Sequence, residues 1–298
     1  MKTKKLTISV PGCIGNVGSG FDCMGLSINL FNRFTFESSD SFFISASHSR
    51  IETGEKNLCL RAFKKTCETL GIQSGGVKIT IDASIPPGVG LGSSGTAVLS
   101  GIMAAFILTG HKIEPSEILK IGKCLEGHLD NIAASLLGGL VVVAEQDGEP
   151  VWKRFSVPSK ISAVFFISNE PFSTRRARSI LPEKVYLSDA VFNLSRICLL
   201  PFSFAEKDEK LLTVAIRDKI HQPYRGRLYP HFEILYDAAM DAGAAGCCLS
   251  GAGPSVVAFC FKNPDKILKS WIQTTKQKKL NGTIKKIRLG GKTIWKIY

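Results

Sequence analysis

Pro86-Pro87-Gly88-Val89-Gly90-Leu91-Gly92-Ser93-Ser94-Gly95-Thr96-Ala97 is the stretch on which the reading of this chain turns. Gly88, Gly90, Gly92 and Gly95 fall within eight positions, between an alternating segment at residues 77–83 and an apolar run that reaches residue 108. Glycine reaches positive φ without strain and lets backbone N–H groups approach a phosphate with no Cβ in the way. A helix that opens directly after such a turn adds its unpaired N–H donors and the positive end of its dipole. Ser93, Ser94 and Thr96 supply hydroxyls suited to phosphate oxygens or a divalent cation. An ordinary glycine-rich turn capped by a serine competes with this reading, and the loop alone leaves the two even. Neither the Walker spacing nor the dinucleotide G-x-G-x-x-G fits, because no lysine follows and no acidic residue ends the next strand.

Outward from the loop, period-2 alternation predicts strands at residues 6–11, 29–36, 42–46 and 77–83, and the apolar run at 140–144 reads as a buried strand. Helical spacing predicts helices at 57–71, 118–125 and 130–137, and 94–108 is apolar nearly all round, as a helix buried on every side. The pattern resets between residues 148 and 158. Beyond it come a strand at 161–168, helices at 188–199, 210–220 and 229–242, and a hairpin-like pair at 246–249 and 255–261. That pair is joined by Ser250-Gly251-Ala252-Gly253-Pro254; a helix at 264–275 and strands at 283–289 and 293–297 follow. The alternation lacks the parallel rhythm of a doubly wound sheet, and 298 residues exceed one core of common size. An α+β chain of two domains, 1–150 and 151–298, is expected.

A formal charge of +13 is what nucleic acids and anionic membranes select when it is clustered. Here the cations are spread along the chain, and only the end is dense, from Lys276 to Lys296. That tail is interrupted by Ile, Leu and Trp at strand-like alternation, as in residues 283–289, and shows no RNA-binding signature with interleaved aromatics. A Lys-rich surface with an anionic substrate is therefore expected, with no nucleic-acid partner. The nine cysteines include no Cys-x-x-Cys pair and no histidine at zinc spacing, which reads as free thiols in a reducing cytoplasm. The basic start is followed by only residues 6–10 before Pro11, short of a signal-peptide core. The apolar run at 97–108 is too short to span a bilayer. A cytoplasmic protein without membrane association is expected.

Read as Pro86-x-x-x-Gly90-Leu91-Gly92-Ser93-Ser94, the glycine loop resembles the phosphate loop of the GHMP kinases, which act on galactose, homoserine, mevalonate and phosphomevalonate. Further motifs, in the family's order, narrow the resemblance to its homoserine-phosphorylating branch. Val10-Pro11-Gly12-Cys13-Ile14-Gly15-Asn16-Val17-Gly18-Ser19-Gly20-Phe21-Asp22 is similar to Pro-Ala-Ser-x-Ala-Asn-Leu-Gly-Pro-Gly-Phe-Asp, and Glu126-Gly127-His128-Leu129-Asp130-Asn131 to Glu-Gly-His-Pro-Asp-Asn. Ser173-Thr174-Arg175-Arg176-Ala177-Arg178 with Leu181-Pro182, then His221-Gln222-Pro223-Tyr224-Arg225 and Ser250-Gly251-Ala252-Gly253-Pro254-Ser255, complete the set. The resemblance covers essentially the whole chain. It implies the two-domain GHMP kinase fold, with an N-terminal domain like domain 2 of ribosomal protein S5 and a ferredoxin-like C-terminal domain. It also implies ATP and L-homoserine as substrates, Mg²⁺ as cofactor, and a homodimer.

The residue roles follow from that resemblance and from the acceptor's chemistry. Pro86 to Ala97 would cradle ATP, with Asn57 beside adenine; capping the helix that follows is the competing role for Asn57. Glu126 with Ser94 suits Mg²⁺, which takes few protein oxygens. Homoserine is a zwitterion: Arg178 and Arg225 suit its carboxylate as planar forks, and Arg175, Arg176 and Arg227 read as surface residues. Asp22 and Asp130 suit its ammonium, with Asn16 and His128 completing the pocket. Phosphoryl transfer depends mostly on alignment and charge neutralisation. No lysine stands in the N-terminal motif to pair with an aspartate at the hydroxyl, as in several relatives. Asn16, Asp130 and Asn131 form the expected catalytic set, with Asn16 and Asn131 positioning the hydroxyl and its proton passing to phosphate or solvent. Residues 172–178 and 221–227 are expected as mobile loops.

The chain departs from the family pattern at several points. Gly12, Cys13 and Ile14 replace Ala-Ser-Ser or Ala-Ser-Thr, Ser19 and Leu129 replace prolines, and Val89 stands where relatives carry Arg or Ser. Two alternatives stay open: a GHMP kinase for another small carboxylate-bearing alcohol, and a catalytically silent GHMP-fold protein that binds a metabolite. Ser94, Glu126 and Asp130 speak against the silent reading.

Overall fold

The structure, a computed structural model, describes residues 5–298. Its first half runs β1 (Lys5–Gly15), β2 (Met24–Ser38), β3 (Phe43–Ala46), α1 (Leu58–Thr69), β4 (Val77–Ala83), α2 (Ser93–Thr109), α3 (Pro115–Glu126), α4 (Asp130–Leu137), β5 (Leu140–Gln146) and β6 (Glu149–Phe155). The second half runs β7 (Ser162–Ser168), α5 (Thr174–Ser179), α6 (Leu187–Ala205), α7 (Glu209–Ala215), α8 (Gln222–Arg225), α9 (His231–Asp241), β8 (Gly246–Leu249), β9 (Val256–Cys260), α10 (Pro264–Gln277), β10 (Gly282–Ile287) and β11 (Ile294–Ile297).

β2 is the spine of a seven-stranded sheet in the order β11-β1-β2-β4-β3. It pairs antiparallel with β4 through Asn32–Ser38 and with β5 through Met24–Leu26, so one long strand serves two neighbours. The register between β1 and β2 shifts between Pro11 and Cys13, where proline has no N–H to give the ladder. Leu6, Ile8 and Val10 of β1 and Phe34 and Phe36 of β2 alternate into the core beneath α1, α2 and α3. The all-round apolar helix expected after the loop is α2, in which every residue from Val98 to Phe106 is buried.

The second sheet is antiparallel, in the order β10-β7-β9-β8. With α9 before β8 and α10 before β10, this is the β-α-β-β-α-β ferredoxin-like arrangement, here with α5 to α8 inserted after β7. Period-2 alternation divides β7 and β9 between two faces. Val164, Phe166, Val256 and Ala258 pack on Leu235, Ala239, Ile267 and Trp271 of α9 and α10. Ala163, Phe165, Val257 and Phe259 face the other way, into a core shared with Ile14, Leu26 and Leu140 of the first sheet and with Leu200 and Phe204 of α6.

Several elements differ from expectation. β2 begins at Met24 rather than near residue 29. The reset at 148–158 contains β6, a hairpin partner of β5 that is mostly exposed and so shows no clean alternation. A cut at residue 150 therefore runs through β6, and β11 crosses back over it to pair with β1. Two units remain our proposal for the chain's organisation, with that shared core between them. The segments expected as mobile loops hold helices instead. Ser173 caps α5 through the Arg176 N–H, and the Asp218 carboxylate accepts from the His221 and Gln222 N–H groups at the start of α8.

Because one apolar core joins the two sheets, thermal unfolding is expected as a single transition. Phe204→Ala should lower stability by about 3–5 kcal/mol, the usual cost of emptying a buried aromatic site, without splitting that transition. Two separated transitions in calorimetry of the unmodified chain would contradict the shared core.

Candidate active site

The loop after β4 is pinned from below by Asn32 of β2. Its Oδ1 accepts from the Ile85 N–H (2.9 Å) and its Nδ2 donates to Thr96 Oγ1 (3.0 Å). Thr96 Oγ1 donates to the Ser93 carbonyl (2.7 Å), and Ser93 Oγ to the Ile85 carbonyl (3.0 Å). Two of the three hydroxyls expected at the phosphate thus hold the loop in shape. The third, Ser94 Oγ, donates to Glu126 Oε2 at 3.1 Å. Val89 and Leu91 are buried in the core, which leaves the loop's backbone to meet a ligand. Gly88, Gly90 and Gly92 have φ of 77°, 79° and 74°. At Gly90 a Cβ would also lie 2.5 Å from both the Ser250 and the Gly253 carbonyl oxygens. Gly92 opens α2 without a side-chain cap, so the first N–H groups of a 17-residue helix face outward at the loop.

A cavity of about 560 Å³ extends from this loop. At one end it is apolar, lined by Phe34, Ile51, Leu58, Ile81 and Leu125; at the other stand His128, Asn131, Arg178 and Gly251. Asn57 lines it too, but as a helix cap. Its Oδ1 accepts from the Cys59 and Leu60 N–H groups, and its Nδ2 donates to the Glu52 carbonyl. Pro86 lies apart, on a neighbouring cavity with Val89. Three cations that sequence reasoning passed over, Arg50, Lys56 and Arg175, line the nucleotide-sized cavity. Arg175 was expected as a surface residue. Lys56 lies directly before the Asn57 cap, and that adjacency is the one signal the sequence offered for it.

The end of the cavity at His128 and Arg178 gathers residues from both halves. Arg178 of α5 forms a bidentate pair with Asp22, Nη1 to Oδ2 at 2.7 Å and Nη2 to Oδ1 at 2.8 Å. His128 Nδ1 lies 2.6 Å from Oδ1 of the buried Asp130. Arg225 is 2% exposed. Its Nε donates to the Ala177 carbonyl (3.3 Å), and its guanidinium stands 5.2 Å from the Phe21 ring centre, with Arg178 at 5.6 Å from the same ring. The two expected carboxylate ligands therefore share Phe21 as an aromatic support. Asn16 is spent as a brace: its Oδ1 accepts from the Asp22 N–H (3.0 Å) and its Nδ2 donates to the Gly251 carbonyl (2.8 Å). Nδ2 keeps a second N–H and Oδ1 a second lone pair, so neither bond need break for Asn16 to meet a hydroxyl, as the sequence suggested for it. Asn131 keeps its Nδ2 without a partner among the described residues; its Oδ1 accepts from the Cys13 thiol.

The environment sets the charges. Burial raises the pKa of Glu126 above the usual carboxylate value, offset in part by His128 and by the Ser94 hydroxyl. Burial also works against a proton on His128, yet the hydrogen bond and charge of Asp130, aided by Glu126 and Asp22, raise its pKa overall. His221 is pushed the other way, first by burial, and its Nε2 donates to the Gly18 carbonyl at 2.8 Å. As a neutral ring, it leaves Nδ1 to accept from Arg225 Nη1. Three of the departures from the family pattern have structural roles: Ile14 and Leu129 are core residues, and Ser19 Oγ donates to the Ala215 carbonyl (2.7 Å).

Known proteins share this architecture. The family models for the GHMP kinases N terminal domain and the GHMP kinases C terminal match residues 57–139 and 203–276. The chain belongs to the GHMP kinases. Homoserine kinase of Aquifex aeolicus is 40% identical over 266 residues, covering 88% of this chain and 89% of that one. Homoserine kinase of Halothermothrix orenii is 37% identical over 268 residues, 88% and 86% of the two chains. The crystal structure of homoserine kinase from Cytophaga hutchinsonii superposes with a TM-score of 0.87 at 28% identity, over 99% of this chain and 97% of that one. Within the GHMP kinases the chain therefore belongs to the homoserine kinases, and it has their two-domain α+β fold.

Gly90→Ala adds a methyl group against two carbonyl oxygens at a positive-φ position. It should raise the KM for ATP on the order of 10-fold or more, since an L-residue there costs roughly 1–2 kcal/mol before any clash. An unchanged KM for ATP in steady-state assays would remove the 88–92 turn from the nucleotide site.

Proposed function

We infer that this chain transfers the γ-phosphoryl group of ATP to the side-chain hydroxyl of L-homoserine, forming O-phospho-L-homoserine for threonine biosynthesis. The observation that carries the reading is the Asp22–Arg178 pair, with Asp130 and Arg225 beside it, at one end of a cavity whose wall is a phosphate loop. A fixed anion and a fixed planar cation, about one ion pair apart, are the complement of an α-amino acid zwitterion. In this reading the acceptor's carboxylate takes Arg178 and the free edge of Arg225, and its ammonium takes Asp22 and Asp130. His128 orients Asp130 through its ring nitrogen. The apolar end of the cavity takes adenine, with Asn57 shaping that wall through its cap, and the α2 N-terminus faces the phosphates.

Glu126 and Ser94 fit a magnesium ion, since they offer two hard oxygens 3.1 Å apart at the loop and Mg²⁺ draws its other ligands from phosphates and water. When bound, that ion would neutralise charge on the phosphate oxygens. The chain's own residues align the partners: the loop backbone orients the transferring group, and Asn131 Nδ2 holds the acceptor oxygen. The basic cavity side chains Arg50, Lys56 and Arg175 add positive charge where a triphosphate would lie.

A coupled ADP-release assay with homoserine, serine, mevalonate and galactose tests the reading. Turnover should be highest with homoserine; no turnover with any acceptor would leave the silent binder, and preference for a non-amino-acid alcohol would overturn the acceptor. Arg178→Lys keeps the charge and loses the fork. It should raise the homoserine KM on the order of 10-fold, the loss of one charge-assisted hydrogen bond, with the ATP KM nearly unchanged.

We also propose a homodimer through α6. Leu187, Val191, Leu194, Cys198 and Phe202 are exposed along it at spacings of four, three, four and four residues, the seam of a helix–helix contact. No exposed position from 187 to 205 is charged, because Asp189 is paired with Lys219 and Arg196 lies over Phe192. Two copies of a +13 chain repel except across such an uncharged face. Sedimentation should show a dimer at micromolar concentration that Leu194→Lys converts to monomer. A monomeric parent chain, or a variant that stays dimeric, would refute this interface.

No helix among the described residues is long and apolar enough to cross a membrane. A cytoplasmic location is our proposal, consistent with nine free cysteines among the described residues.

A further inference from the structure

Cys13 sits at the irregularity in β1, fully buried, between the phosphate loop and α4. Its N–H donates to the Leu91 carbonyl (3.1 Å), and its Sγ stands 2.5 Å from where a Cβ on Gly92 would lie. On its other side, the thiol donates to Asn131 Oδ1 at 3.0 Å. A side-chain amide has an acceptor at one end and donors at the other, so a flip exchanges what it shows to a ligand. Burial, helped by the negative charge of Asp130, raises the Cys13 pKa far above neutrality, so sulfur carries its proton. A protonated thiol is a donor and a poor acceptor, and it therefore selects the amide oxygen. Gly15 leaves that oxygen its space, since a Cβ there would lie 2.7 Å from Oδ1. Asn131 lines the cavity, and its Nδ2 has no partner among the described residues.

We propose that Cys13 is a positioning residue for phosphoryl transfer, whose thiol fixes the Asn131 amide with its NH₂ end toward the acceptor hydroxyl. The inference rests on the reading in which Asn131 holds that hydroxyl. With Nδ2–H donated to it, the acceptor oxygen keeps its own proton free to point at phosphate or solvent. The flipped amide would instead accept that proton and turn the nucleophilic lone pairs away from their donor. Relative to the family pattern the residue is a substitution of serine. Thiol and hydroxyl can both give a proton to Oδ1.

Three variants test this. Cys13→Ala removes the donor and should lower kcat roughly fivefold, the worth of one net hydrogen bond, with both KM values within about twofold. Cys13→Ser loses the same bulk against Gly92 but keeps a donor, and it should retain kcat within about twofold. Equal losses in the two variants, or a matching rise in the ATP KM, would mean that sulfur only spaces the loop and would overturn the proposal. Asn131→Ala separates this from the reading beneath it. If kcat is unchanged in Asn131→Ala, Asn131 does not hold the acceptor; if it falls while Cys13→Ala matches the parent, only the Cys13 inference fails. Infrared spectroscopy gives a readout independent of activity. One S–H stretching band should move to higher wavenumber in Asn131→Ala as its acceptor is lost, and an unmoved set of bands would refute the bond.

Discussion

Three loops from distant parts of the chain meet at the hydrogen bond that Ser250 Oγ donates to the Gly90 carbonyl, 2.7 Å long. The Gly251 N–H donates to the Gly15 carbonyl (3.0 Å), and Asn16 Nδ2 returns a bond to the Gly251 carbonyl. These bonds close the phosphate turn, the N-terminal motif and the 250–254 loop onto one another, with no room for a side chain on Gly90. Everything at the site hangs from this junction. It fixes the start of α2 relative to Asp22, and Asp22 in turn reaches Arg178 from the second half. Backbone groups buried at such a junction must pair with one another, and that obligation makes it rigid. It is also why non-glycine residues there are held in left-handed conformations: Asn16, Val17 and Asp22 have φ of 66°, 46° and 56°.

The sequence exposed the fold through periodicity and the site through motifs, and it failed where neither operates. α2 was legible because a helix buried all round has no polar face to confuse the pattern. β6 was not, because only Pro150 on it is fully buried and its pairing with β5 is carried by backbone bonds. Short helices such as α5 and α8 lie below the length at which helical spacing shows, and the carboxylate at the start of α8 comes from Asp218, outside the motif. β11 reads as a strand locally, but nothing in four residues says that its partner lies at the other end of the chain.

At the site, the motifs brought together most of the residues they were expected to bring together, Pro86 apart, without saying what each does. Ser93, Thr96 and Asn16 belong to phosphate and substrate motifs, yet each spends its polar atoms on backbone groups or on Asn32. A hydroxyl that shapes a glycine turn and one that touches a ligand are the same letter in sequence. The difference lies in whether a carbonyl such as that of Ile85 stands within reach, which is a property of tertiary packing. Arg50 and Lys56 show the converse. They belong to no motif and were invisible, and only the folding of the 50–57 segment over the cavity brings their charge to it.

Two arginines beside one aromatic ring pose an electrostatic problem that the site solves asymmetrically. Burial depresses the pKa of Arg225, and the nearby Arg178 depresses it further, while Asp22 and Asp218 support its charge. Arg178 is half exposed and is satisfied by Asp22 directly. Arg225 has only carbonyls and the neutral His221 ring as near partners, since the Asp218 carboxylate is taken up by the N–H groups of Ile220, His221 and Gln222 and by Asn193. A buried guanidinium without a carboxylate in contact is costly, and that cost falls when an external carboxylate arrives. Arg225 is thus the group whose energy changes most on meeting an acidic acceptor, whereas Arg178 must exchange one carboxylate for another. In the proposed reading, affinity for the acceptor's carboxylate comes mainly from the buried arginine, and selectivity for an α-amino acid over a plain acid from the Asp22 that the exchange sets free.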